Sequence, residues 1–266
     1  MRTGFRFVVA RMAAALGLAL AAVPLHALEL RVLSAGAVEP GLRPALAAFT
    51  HDSGHTVSIT FATAPVLRTA LRRSPAAADV IVAPVAVVDE ADAAQPPAAG
   101  ATRAAIGRVG VGVAARTGAD VPDITSAQTL KAALGSAEAV VFNRASTGVY
   151  VESMLRSMGL FEGVEAKSVR FADGASVMER LLAGTAPREF GFGAITEIVL
   201  FQGRGLKLVG PLPPGLQNYT AYAAIPWPGA PPASAAQAEA VAALMRHLQG
   251  PQARALFANA GIEPTP

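Results

Sequence analysis

The chain contains no cysteine, which excludes a disulfide framework and any thiolate metal site. Charge is also scarce: only 15% of the 266 residues are Asp, Glu, Lys or Arg, against 52% hydrophobic. That balance excludes intrinsic disorder and describes a globular chain, long enough for one large domain or two smaller ones. Catalytic signatures are missing as well. No GxSxG elbow, Walker A loop, HExxH, CxxC or helix-opening GxGxxG occurs, and each of those chemistries needs its residues at that spacing. Of the four histidines, His26 lies near the N-terminus, His51 and His55 flank a glycine loop, and His247 falls on a helical pattern. A loop containing Gly54 does not hold i, i+4 ligands on one face, so no metal site and no cofactor are expected.

Long apolar runs are missing too, apart from Met12 to Val23. That run is too short for a convincing membrane span, and Arg2, Arg6 and Arg11 precede it, so residues 1–27 read as a secretory signal peptide cleaved after Ala27. Removing three arginines and no acid takes the formal charge from +3 to 0. The basic balance therefore gives no reason to invoke nucleic acid, and no Lys/Arg cluster with interleaved aromatics appears later. An exported, neutral chain without cysteine fits the bacterial periplasm.

What is present is an alternation of strands and helices. Leu28, Leu30 and Val32 alternate with polar residues and predict a strand. Leu42, Ala45, Leu46 and Phe49 predict a helix, and further strands are expected at 57–61 and 79–83. The pattern restarts after Pro122 with strands at 139–142, 166–171, 190–194 and 206–209 and helices between them. Residues 106–115 and 219–225 are apolar and extended, as expected of two crossings between lobes, and two helices close the chain. This is an α/β fold with parallel-rich sheets. It is expected to have two lobes, 28–107 plus 221–266 and 108–220.

In such sheets ligands sit at the carboxyl ends of strands. There the sequence places Ser34-Ala35-Gly36-Ala37, Thr63-Ala64-Pro65 and Asn143-Arg144-Ala145-Ser146-Thr147-Gly148-Val149-Tyr150. The last leads into a helical pattern, so Ser146, Thr147 and Gly148 are expected to form a helix N-terminus suited to an anion. Ser34, Thr63 and Thr196 are further candidates. Arg144 and Arg68 are possible charge partners, and Tyr150 and Tyr219 possible cleft lining.

The segments LRVLSAGAVEP, VSITFATAPVLRTAL, ADVIVAP, GRVGVGVAARTGADVPDI, NRASTGVYVESMLRSMGL and LVGPLPPGLQNYT resemble, in order and spacing, the periplasmic binding proteins of ABC importers, in the branch related to molybdate-binding proteins. The resemblance implies a type II two-lobed fold, hinge closure over a small anionic solute, no catalytic residues and transient docking on an inner-membrane permease, as a monomer. It also implies a ligand shell of two first-lobe serines, second-lobe backbone amides and a tyrosine. Those positions fall on Ala37 and Ala64, on Thr147 and Val177, and on Ala194. With the side-chain donors replaced, the expected ligand is either a molybdate-like oxyanion or a small organic carboxylate held mainly by backbone amides. A sensor subunit with the same fold is one alternative. An exported hydrolase using Ser146 or Ser34 is another.

Overall fold

The structure, a computed structural model, describes residues 27–73, 78–94, 102–120, 122–227 and 233–265. The signal-peptide segment, apart from Ala27, and much of the Pro-rich stretch at 226–232 lie outside them. Strand β1 (Glu29–Ala35) passes through a 3-10 turn at Gly36–Val38 into α1 (Glu39–Ser53). There follow β2 (Thr56–Ala62), α2 (Ala64–Arg73), β3 (Val80–Pro84) and α3 (Val85–Ala94), and then the long strand β4 (Ala104–Arg116). The second half contains α4 (Ala127–Ser136), β5 (Ala139–Asn143), α5 (Ser146–Ser157), α6 (Phe161–Glu165), β6 (Ser168–Phe171) and α7 (Gly174–Ala183). It continues with β7 (Glu189–Ala194), α8 (Ile195–Phe201) and β8 (Leu206–Pro211), before β9 (Tyr219–Pro226), α9 (Ala235–Gln249) and α10 (Pro251–Asn259).

Binary pattern explains most of these elements. In α1, Leu42, Ala45, Leu46 and Phe49 are buried, one stripe at helical spacing, and Gly54 ends the helix in the left-handed conformation at φ 73°. All five residues of β3 are buried, as befits a strand that lies between parallel β1 and antiparallel β9 in the sheet interior with both faces covered. Ser126 caps α4 through a capping box with Thr129. The short helix α6, which buries only Val164, is too small to show periodicity and was not legible in the sequence.

Strands run in the order β2-β1-β3-β9-β4-β7-β5-β6, with β8 also paired to β4. The pivotal element is β4. Its first half pairs antiparallel with β9 from Ala104 to Gly110, and its second half pairs with β7 and β8 from Val111 onward. One strand thus belongs to two sheets. On one side lies a core built from Leu30, Ile81, Leu42, Leu244 and Phe257, and on the other are cores around Phe142, Phe192 and Leu155 and around Val177, Met178 and Ile198. A chain that twists through one continuous strand, with apolar cores on separate faces, makes two α/β lobes with a cleft between them.

Candidate functional site

The carboxyl ends of β1, β2, β5 and β6 open on that cleft, which has a volume of about 870 Å³. Each of these strands leads, through three residues or fewer, into a helix N-terminus. The first N–H groups of a helix have no partner inside it, so the cleft is lined by backbone donors and positive dipole ends from both lobes.

Two of these termini are built in detail. In α5, the Asn143 carboxamide oxygen accepts from Ala145 N–H at 3.0 Å and from Gly148 N–H at 2.9 Å. The Gly148 donor is therefore used internally, and the expectation that it faces the ligand is corrected: Ser146 and Thr147 carry the cleft-facing positions. In α7, Asp173 caps the helix by accepting from Ser176 N–H at 2.7 Å, and Gly174 and Ala175 line the cleft behind it. The first lobe supplies Gly36 and Ala37 from the 3-10 turn, and Thr63 and Ala64 at the start of α2.

Six of the sequence-derived positions meet in the cleft: Gly36, Ala37, Thr63, Ala64, Ser146 and Thr147. The others lie elsewhere. Ser34 is fully buried and donates to Ala35 O at 3.1 Å. Thr196 is buried and donates across the lobes to Ala37 O at 2.5 Å, which makes it a strut between them. Val177 is buried in a core of the second lobe, and Ala194, at the end of β7, is buried against the core of the first. Arg68 forms a two-pronged pair with Glu90 (2.6 and 2.9 Å) on the outer face of α2, and Arg144 donates to Arg170 O at 3.1 Å. The Tyr150 hydroxyl donates to Leu216 O at 2.7 Å. Tyr219 is 40% exposed, with the Arg108 guanidinium 4.1 Å from its ring centre. The histidine loop holds no metal cluster among the described residues, and His55 Nδ1 accepts from Leu28 N–H at 3.3 Å.

Sequence reasoning missed the acids. Glu39, Asp173, Glu179 and Glu197 line the cleft, against the single cation Arg180 among the described residues. Most are committed: Glu39 to Arg43 at 2.6 Å, Glu179 to Arg204 at 2.7 Å, Asp173 to its cap, and Arg180 to Glu189 at 2.9 Å. Glu197 differs. It sits in the first turn of α8, where its carboxylate accepts from the Ala194 backbone. A side chain on Gly174 of one lobe would overlap that carboxylate, and one on Gly36 of the other would come within 3.4 Å of it. Gly174 leaves the space that the carboxylate occupies, whereas a Cβ at Gly36 would only touch it. Burial, which outweighs the Ala194 hydrogen bond, pushes the Glu197 carboxyl up to about 7, and the negative charges of Asp173 and Glu39 add to the rise. Tyr222 of β9, also in the cleft wall, is raised well above its ordinary range by burial, with Glu197 contributing. A clue was present: Glu197 is the lone acid in the apolar run Ile195-Thr196-Glu197-Ile198-Val199-Leu200-Phe201.

The raised carboxyl has a consequence for stability. A native carboxyl that titrates above its unfolded value binds more protons folded than unfolded, so stability falls as pH rises from the ordinary carboxylate range toward about 7. Thermal unfolding in the unliganded protein should therefore show a melting temperature that declines across that window. The decline should flatten in Glu197→Gln.

The sequence model of the bacterial extracellular solute-binding proteins matches residues 30–263. A relative from Pseudomonas sp., an aconitate isomerase, is 28% identical over 260 residues, covering 94% of each chain. Among solved structures, the periplasmic molybdate-binding protein of Azotobacter vinelandii superposes with a TM-score of 0.69 at 20% identity, covering 89% of this chain and 100% of that one. The sulfate-binding protein of Mycobacterium tuberculosis superposes with a TM-score of 0.66 at 14% identity, covering 89% and 87%.

Proposed function

Since the chain belongs to the bacterial extracellular solute-binding protein family, we propose that it is a periplasmic receptor that captures a small organic polycarboxylate between its lobes and presents it to an ABC permease. Residues 28–107 with 221–266 act as one lobe and 108–220 as the other, hinging where β4 and β9 cross between them. The observation that carries this reading is the convergence of helix N-termini from both lobes on one cleft. Such termini bind anions without needing cationic side chains, which suits a cleft in which Arg180, the one arginine among the described lining residues, is already paired.

A polycarboxylate is favoured over a tetrahedral oxyanion for two reasons. Ala37 and Ala64 line the cleft, and they stand at the positions where the resemblance implies hydroxyl donors for a compact oxyanion. The Pseudomonas relative also acts, by its name, on an unsaturated tricarboxylate. Calorimetry of the mature chain against cis- and trans-aconitate, citrate, succinate, molybdate and sulfate is expected to give saturable heat with a tricarboxylate and none with molybdate. Micromolar molybdate binding with no carboxylate heat would reject the polycarboxylate reading.

A second reading is isomerisation of the bound solute, favoured by the same relative and by Glu197, a carboxylate in the cleft without a cationic partner among the described residues. Proton NMR of the aconitate recovered from the calorimetry cell separates the two. An unchanged isomer ratio identifies a carrier, and conversion identifies an enzyme.

A further inference from the structure

We propose that Glu197 is the ligand's proton-bearing partner: the anion binds to the carboxylic acid form of Glu197, so that each captured solute enters the cleft together with a proton. This rests on the reading of the cleft as an anion site.

Geometry carries the argument. Glu197 projects from the first turn of α8 to the place where the lobes approach, against Gly36 of one and Gly174 of the other. It faces Glu39 from α1, Asp173 from the cap of α7 and Tyr222 from β9. The strands β4, β7 and β8, which also pack against α8, contribute no residue to the cleft lining. Among the described residues, Arg43 is paired with Glu39, Arg204 with Glu179 and Arg180 with Glu189, which leaves Glu197 and Asp173 as the acids of the cleft lining that no lysine or arginine there offsets.

An anion placed at the N-termini of α5 and α7 adds negative charge beside an already crowded carboxylate. Two like charges in a partly desolvated site raise the affinity of one of them for a proton. Protonation removes the repulsion and also changes the chemistry of the group. An ionised carboxylate only accepts hydrogen bonds, whereas the acid has an O–H to donate to a ligand carboxylate. A carboxyl pushed up to about 7 holds the required proton in a substantial fraction of molecules at neutral pH.

The sign follows from linkage. Binding is tightest where Glu197 is protonated in both states, and it weakens as pH rises above the free protein's value, by up to about tenfold per unit while one proton is taken up. The probe is propane-1,2,3-tricarboxylate, a saturated tricarboxylate without a double bond to shift. Its Kd should be about tenfold weaker at pH 8.5 than at pH 6.5. Calorimetry near pH 7.5 in two phosphate-free buffers of different ionisation enthalpy should show a net uptake of a substantial fraction of a proton.

Glu197→Gln keeps an acceptor for the Ala194 N–H and is permanently neutral. It should bind the probe with a Kd that stays level over the same pH range and with no proton uptake. Asp173→Asn, which retains the helix cap while removing one facing charge, should move the wild-type transition to lower pH. Tricarboxylate binding that is independent of pH and of buffer overturns the proposal while leaving the anion site intact, as does a pH dependence that persists unchanged in Glu197→Gln. Absence of binding to any of the polycarboxylates or oxyanions tested removes the anion reading itself.

Discussion

Replacing Gly148 with alanine should lower stability by about 3 kcal/mol and abolish ligand binding. The residue lies one turn into α5, where the helix start folds back on the end of β5. A Cβ there would overlap the backbone carbonyl of Asn143 and crowd its side-chain oxygen. These are backbone atoms held by a strand and by the two hydrogen bonds that Asn143 accepts from Ala145 and Gly148, so no rotamer change can relieve the overlap. The α5 N-terminus must move away from β5, and Ser146 and Thr147 move with it, out of register with the opposing lobe. In a chain of this size, about 3 kcal/mol corresponds to a fall in melting temperature of roughly 6–12 °C. Circular dichroism melts would measure the fall, and calorimetry the loss of binding. A Gly148→Ala variant that melts and binds like the parent would show that the close approach is not required.

Phe142→Ala should cost about 3–5 kcal/mol. Phe142 is only 1% exposed, sits in the second lobe's core with Leu155 and Phe192, and has the Arg170 guanidinium 4.2 Å from its ring centre. Its removal leaves a cavity beneath β5 and takes a packing surface from Arg170, which also donates to Asn143 O. Both effects reach the loop that begins at Asn143. Denaturant unfolding should show the midpoint shifted to lower concentration, with Phe142→Leu recovering most of it. A loss below about 1 kcal/mol would mean that the lobe repacks around the gap.

These two variants mark different depths of legibility. Phe142 was readable as core because it closes an apolar run, Ala139 to Phe142, that only a covered strand tolerates. Gly148 was readable as part of a helix start but not in its role. The sequence placed its N–H toward a ligand, whereas the structure gives that N–H to Asn143. A side-chain cap five residues upstream depends on how sharply the chain turns after β5, and spacing alone does not specify that angle. The same limit applies to Val177 and Ala194. Family resemblance put Ala194 and the backbone of Val177 at the ligand; helix α7 turns the Val177 side chain into the core, and Gly174, Ala175 and Ser176 of the same helix line the cleft.

By itself the sequence determined the order of the strands and of most helices, a cap at Thr125 or Ser126, a helix end near Gly54, the burial of β3, and a set of small residues at strand ends, because periodicity and turn chemistry are local. Only the tertiary structure decided that Ser126 rather than Thr125 caps α4, that Ser34 and Thr196 brace the fold rather than face the cleft, and that Glu197 meets Asp173 and Glu39. Residues 39, 173 and 197 come together because two lobes close on a shared strand. The proton affinity of a carboxyl depends on its burial and on charges a few ångströms away, which are properties of the assembled cleft.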